Sequence, residues 1–164
     1  PPSPPAPPPT LPPSLSPSQN KNSVIFFYGA DSAPSCSKEI EAFDASLSEF
    51  RSAGVTVVGV RNEKGATLEG KNIKLVVDED DELRQELGIK EDLFGLLGGR
   101  ETYVVDKSGK VVEVHNNQFD PKSHVTKSLA AVEELKKSAP APAFELPDIK
   151  QVAGVFGINL YGLK

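Results

Sequence analysis

Val24-Ile25-Phe26-Phe27-Tyr28 is the first apolar run long enough to bury. A stretch with no polar break marks a strand covered on both faces, as in a parallel sheet. After a loop from Gly29 to Ser35, Ile40, Phe43, Leu47 and Phe50 recur at helical spacing. They predict one amphipathic helix, stopped by Gly54. Val55 to Val60 reads as a second buried strand, residues 61–72 as a polar loop, and Ile73 to Val77 as a short third strand. Asp78 is placed to cap a helix that carries Leu83 and Leu87 and closes at Gly88. Thr102 to Val105 and Val111 to Val114 flank Asp106-Lys107-Ser108-Gly109, which predicts a hairpin. Asp120-Pro121 opens a last helix with an apolar stripe of Val125, Leu129, Val132 and Leu135. Alternating strands and helices followed by a hairpin imply an α/β fold of thioredoxin-like type, a mixed sheet flanked by helices.

Composition divides the chain into three. Residues 1–22 form a Pro/Ser-rich extended segment, which suits polyproline II or a spacer because proline lacks the backbone donor. Residues 23–137 are the folding domain. Residues 138–164 run from a Pro/Ala hinge into an apolar stretch. There Ile149, Val152, Phe156, Leu160 and Leu163 share a helical face broken by Gly154, Gly157 and Gly162. This tail is expected either to pack on its own domain or to dock on a partner. The net charge of -5 and the scatter of Lys and Arg among acids argue against a nucleic-acid partner. No apolar run reaches the roughly 18–20 residues of a transmembrane span. The chain opens on Pro and holds no Met, which fits a processed or trimmed product and leaves room for a removed targeting segment.

Cys36 is the sole cysteine, so neither an internal disulfide nor a multi-cysteine metal site is available. It falls in the first turn of the first helix, where free N–H groups and the helix dipole favour thiolate, the nucleophilic form. The same position also fits a small buried apolar residue. His115 and His124 lack a carboxylate at ligand spacing and read as structural; no metal or cofactor is expected. Asp78 to Glu82 lacks the spaced glycine of a calcium loop. Gly95 to Gly99 lacks the Lys-Ser/Thr of a phosphate loop.

Several blocks carry a resemblance. They are Ile25-Phe26-Phe27-Tyr28 with Ala30-Asp31, and Pro34-Ser35-Cys36-Ser37-Lys38 with Ala42-Phe43. Further on come Asp92-Leu93-Phe94-Gly95 and Gly99-Arg100-Glu101-Thr102-Tyr103-Val104-Val105-Asp106-Lys107. The last is Asn116-Asn117-Gln118-Phe119-Asp120-Pro121-Lys122 with His124. From Ser23 to Leu135 the chain resembles peroxiredoxin Q, the bacterioferritin-comigratory type of peroxiredoxin. The resemblance implies that Cys36 attacks a peroxide O–O bond and becomes sulfenic acid. It implies that Arg100 holds the thiolate and polarises the peroxide, and that Pro34 packs the pocket.

Departures from the family pattern stand beside these matches. Ala33 replaces the threonine whose hydroxyl orients the peroxide, and Gly29 replaces a proline. Glu41 replaces the resolving cysteine and brings a negative charge near the thiol. The segment 61–72 is shorter than its counterpart, and the Pro-rich segment stands where the family has an N-terminal hairpin. These losses favour an auxiliary or structural subunit of a larger complex, joined through the Pro-rich segment and the C-terminal tail. Because eukaryotic members are plastid proteins, the resemblance implies a chloroplast location and points to a thylakoid complex, such as a photosystem. The alternative is a one-cysteine thiol peroxidase recycled by an external thiol reductant.

Overall fold

The computed structural model describes residues 20–29, 34–62, 72–91 and 99–139. The expectations for residues 1–19, for Ala33, for the Asp92–Gly95 block and for the tail from residue 140 lie outside the described residues. Among the described residues, five strands form one sheet: β1 (Asn22–Phe27), β2 (Val55–Asn62), β3 (Lys74–Asp78), β4 (Glu101–Val105) and β5 (Val111–Asn116), in the order β3-β2-β1-β4-β5. The pairs β1–β2 and β2–β3 are parallel; β1–β4 and β4–β5 are antiparallel. The α-helices of the described residues are α1 (Pro34–Ala45), α2 (Leu47–Ser52), α3 (Glu82–Leu87) and α4 (Pro121–Ser138). This is the thioredoxin-like fold.

Strand β1 is central because its side chains can be buried on both faces. Val24, Phe26 and Tyr28 join Cys36, Ile40, Phe43, Leu47, Phe50, Val125 and Val132 in a core between the sheet and α1, α2 and α4. Ile25 and Phe27 alternate to the other face, with Val60, Tyr103, Val105 and Val111 under Leu83 and Leu87 of α3. Phe26 and Phe43 stack with ring centroids 4.2 Å apart, which fixes α1 against β1.

The structure corrects four local expectations. The first helix is two helices, interrupted at Ser46, although the four apolar residues that predicted it are all buried. Gly54 does end α2, with φ +72°. Strand β2 runs two residues further than expected, because Arg61 and Asn62 pair with Val77 and Asp78 of β3. Strand β3 is correspondingly shifted by one residue. Asp78 ends β3 and caps α3 from a distance, across a single 3-10 turn at Glu79–Asp81. Its carboxylate accepts from the backbone N–H of Leu83 at 2.8 Å and of Arg84 at 3.1 Å. The hairpin and the last helix form as predicted: Gly109 takes φ +88° in the turn, and the Asp120 carboxylate accepts from Ser123 N at 3.3 Å.

Candidate active site

The site is assembled by strand register. In the β1–β4 pair, Phe27 faces Glu101 and Phe26 faces Thr102. One residue further, Arg100 therefore stands beside the end of β1, where the chain leaves toward α1. Alternation along β4 sends Arg100, Thr102 and Val104 to the face covered by α1 and α4, while Tyr103 and Val105 go to the α3 face. Cys36, the third residue of α1, is 5% exposed, and Arg100 is 1% exposed. Arg100 Nη2 donates to Cys36 Sγ at 3.4 Å, and Nη1 donates to the Gln118 carbonyl at 3.0 Å. The structure thus brings together two of the three expected site residues. Pro34 opens α1 and is exposed.

The third edge of the Arg100 guanidinium meets a residue that the sequence reading passed over. Glu39 lies three residues after Cys36, so both project from one side of α1. Its carboxylate is fully buried, with Oε2 2.9 Å from Arg100 Nε. The acid singled out from the sequence, Glu41, is exposed. A polar residue where an amphipathic helix should be apolar was the available signal. Burial holds the Glu39 carboxyl well above its usual range, to about 8, against the opposing pull of Arg100 and Arg84. The shift favours the protonated carboxyl, and a neutral partner leaves more of the Arg100 charge to Cys36.

His124 completes the buried support. Its Nε2 faces the Asn117 carbonyl at 2.9 Å, and its Nδ1 lies 2.8 Å from Thr102 Oγ1 and 3.6 Å from Glu39 Oε1. These partners assign a neutral ring with the proton on Nε2, whose other nitrogen accepts from the Thr102 hydroxyl. Burial pushes its pKa down to about 4, which keeps the ring neutral. A neutral ring nitrogen facing Glu39 also fits a protonated carboxyl better than a carboxylate. Gly29 borders the thiol: a Cβ there would lie 3.7 Å from Cys36 Sγ. Among the described residues, no group of three or more His, Cys, Asp or Glu is arranged to hold a metal.

The fold and the Cys36–Arg100 contact define a thioredoxin-fold protein with a buried thiol held against an arginine. The chain belongs to the AhpC/TSA family, whose profile matches residues 12–114. Its relatives are peroxiredoxins of the Q type. Chloroplastic peroxiredoxin Q of Sedum lineare is 42% identical over 124 residues, covering 72% of this chain and 67% of that protein. Chloroplastic peroxiredoxin Q of Arabidopsis thaliana is 39% identical over 112 residues, covering 65% and 52%. The solved structure of Xanthomonas campestris peroxiredoxin Q aligns with TM-score 0.62 at 28% identity, covering 71% of this chain and 81% of that one. The chain spans 54% and 57% of the rice and wheat relatives that it matches.

Proposed function

We propose that this chain is a one-cysteine thiol peroxidase. The observation that carries the reading is the 3.4 Å approach of Arg100 Nη2 to a buried Cys36 Sγ. In the reaction, the Cys36 thiolate attacks the distal oxygen of a hydroperoxide. An S–O bond forms as the O–O bond breaks; sulfur is oxidised by two electrons, and the leaving alkoxide or hydroxide takes a proton from water. Arg100 offsets negative charge on the thiolate and on the oxygen that it attacks. With no second cysteine in the chain, an external thiol then condenses with the sulfenic acid to a mixed disulfide, releasing water, and a further thiol restores Cys36. The names of the relatives support a chloroplast location.

Stopped-flow oxidation by hydrogen peroxide tests this. Wild type is expected to consume one equivalent, Cys36→Ser none, and Arg100→Met to react about a hundredfold more slowly. A Cys36 no faster than free cysteine at the same pH would sink the peroxidase reading.

Ala33 and Glu41 favour a second reading, an auxiliary subunit of a plastid complex docked through residues 1–22 and 138–164. Truncation after Lys137 tests it. Loss of the native assembly at unchanged thermal stability is expected; co-purification of the truncated chain with its complex removes the idea.

A further inference from the structure

Arg84 is 5% exposed and has no place in the chemistry described so far. It extends from the first turns of α3, where the Asp78 carboxylate fixes its backbone N–H. Its Nη1 donates to the Gly99 carbonyl at 2.5 Å, and its Nη2 donates to the Tyr28 carbonyl. Gly99 immediately precedes Arg100, and Tyr28 directly follows β1 on the way toward Cys36. The guanidinium also lies over the Phe27 ring, 5.4 Å from its centroid, which limits its rotation. One rigid fork thus joins the backbone on the arginine side of the site to the backbone on the cysteine side.

We infer that Arg84 is a positioning residue that sets the Cys36–Arg100 distance and adds a second positive charge to the thiolate site. A planar fork suits this task, because two carbonyls on separate segments must be held at once; a lysine ammonium is a point donor on a flexible stem. The position also explains why a cation is tolerated there. Burial disfavours its charge and lowers its pKa, and Asp81, Asp78, Cys36 and Glu39 oppose that shift. The titratable groups around the two arginines come from several elements, His115 of β5 among them, its ring centroid 4.7 Å from that of His124. Glu39 is on α1, His124 on α4 and Arg100 ahead of β4. Glu101 and Tyr103 on β4 lie within the field of Arg84. Asp81, 3.6 Å from Arg84 Nε, offsets part of its charge from the side of α3.

The inference rests on the peroxidase reading for its purpose, but its test does not need peroxide. Cys36 is the sole cysteine, so thiolate absorbance at 240 nm, with Cys36→Ser subtracted, reports this thiol alone. In Arg84→Gln, the pH of half-maximal thiolate signal is expected to rise by about one unit, a tenfold loss of thiolate at a given pH below it. In Arg84→Lys a smaller rise is expected, because the charge stays while the bridge is lost. A titration of Arg84→Gln that superimposes on wild type overturns the inference, even if the variant melts earlier, since that is a purely structural role. If the glutamine variant does not fold, Arg84→Lys decides by the same criterion. Failure of peroxide to oxidise wild-type Cys36 would end the peroxidase reading and leave this titration to stand or fall separately.

Discussion

Glu39 and Arg100 meet at 2.9 Å with both side chains out of solvent, although 61 positions separate them in the chain. The guanidinium edge turned to Glu39 is distinct from the one turned to Cys36. Arg100 can therefore be held from one side while it serves the thiol from the other. Burial raises the pKa of the carboxyl that holds it, which favours a partner that orients the arginine over one that neutralises it.

A stability signature follows from that carboxyl. The folded-state pKa of Glu39, about 8, is above the ordinary 4.5. The native state thus binds this proton more tightly, and the associated stability, on the order of a few kcal/mol, is lost as pH rises from about 4.5 through about 8. Chemical denaturation of wild type at pH 6.5 and 8.5 should show the decline, and Glu39→Gln should flatten it. Glu39→Ala should cost about 1.5–3 kcal/mol, because it removes a buried polar partner of Arg100. Equal slopes for wild type and Glu39→Gln would show that Glu39 is ionised throughout.

His124 acts in the opposite direction. Its folded-state pKa, about 4, is below the ordinary 6.5, so the unfolded chain takes up the proton first. Stability present above pH 6.5 is lost as pH falls toward about 4. Between about 4.5 and 6.5 the two slopes offset each other in wild type, and each single variant should expose the other. In Glu39→Gln, stability should rise with pH across this interval; in His124→Gln it should fall. Urea midpoints at pH 5 and 6.5 for the two variants check this, and parallel curves would refute it.

Two glycines at the site should respond in opposite ways. A Cβ at Gly29 would reach only ordinary contact with Cys36 Sγ at 3.7 Å. Gly29→Ala should fold and gain about 0.4–1 kcal/mol by restricting the unfolded chain. A Cβ at Gly99 would stand 2.0 Å from the Lys90 carbonyl oxygen, a backbone atom that cannot swing aside. Gly99→Ala should lose roughly 2–4 kcal/mol and weaken the neighbouring Arg100 contact with Cys36. Thermal melts of both variants, with the 240 nm thiolate titration for the second, decide the matter.

Ala33 carries no hydroxyl to orient a peroxide. Ala33→Thr should raise the rate of Cys36 oxidation by about tenfold to a hundredfold, and the gain should vanish when Arg100 is also replaced. Stopped-flow kinetics of the single and double variants measure it. A wild type already fast, and unimproved by threonine, would show that this position limits nothing.

Much of this protein was legible along the chain, because local rules act locally. The unbroken run from Val24 to Tyr28 required burial on both faces and became the central strand. Asp120-Pro121 and the Asp106–Gly109 turn carry their own hydrogen-bond chemistry and formed where they stood. Cys36 and Arg100 were found through a resemblance of motifs, and the fold brought them into contact. Tertiary structure decided what periodicity cannot express. Glu39 and Arg84 are charged residues on helices; patterning marks Glu39 as out of place on an apolar face and does not say what either residue meets. Each is buried because its partners arrive from elsewhere: Arg100 from the start of β4, and the carbonyls of Tyr28 and Gly99 from two separate segments. A buried charge is stable only when those distant groups are in place, so its role is set by the assembled sheet and not by its neighbours in the chain.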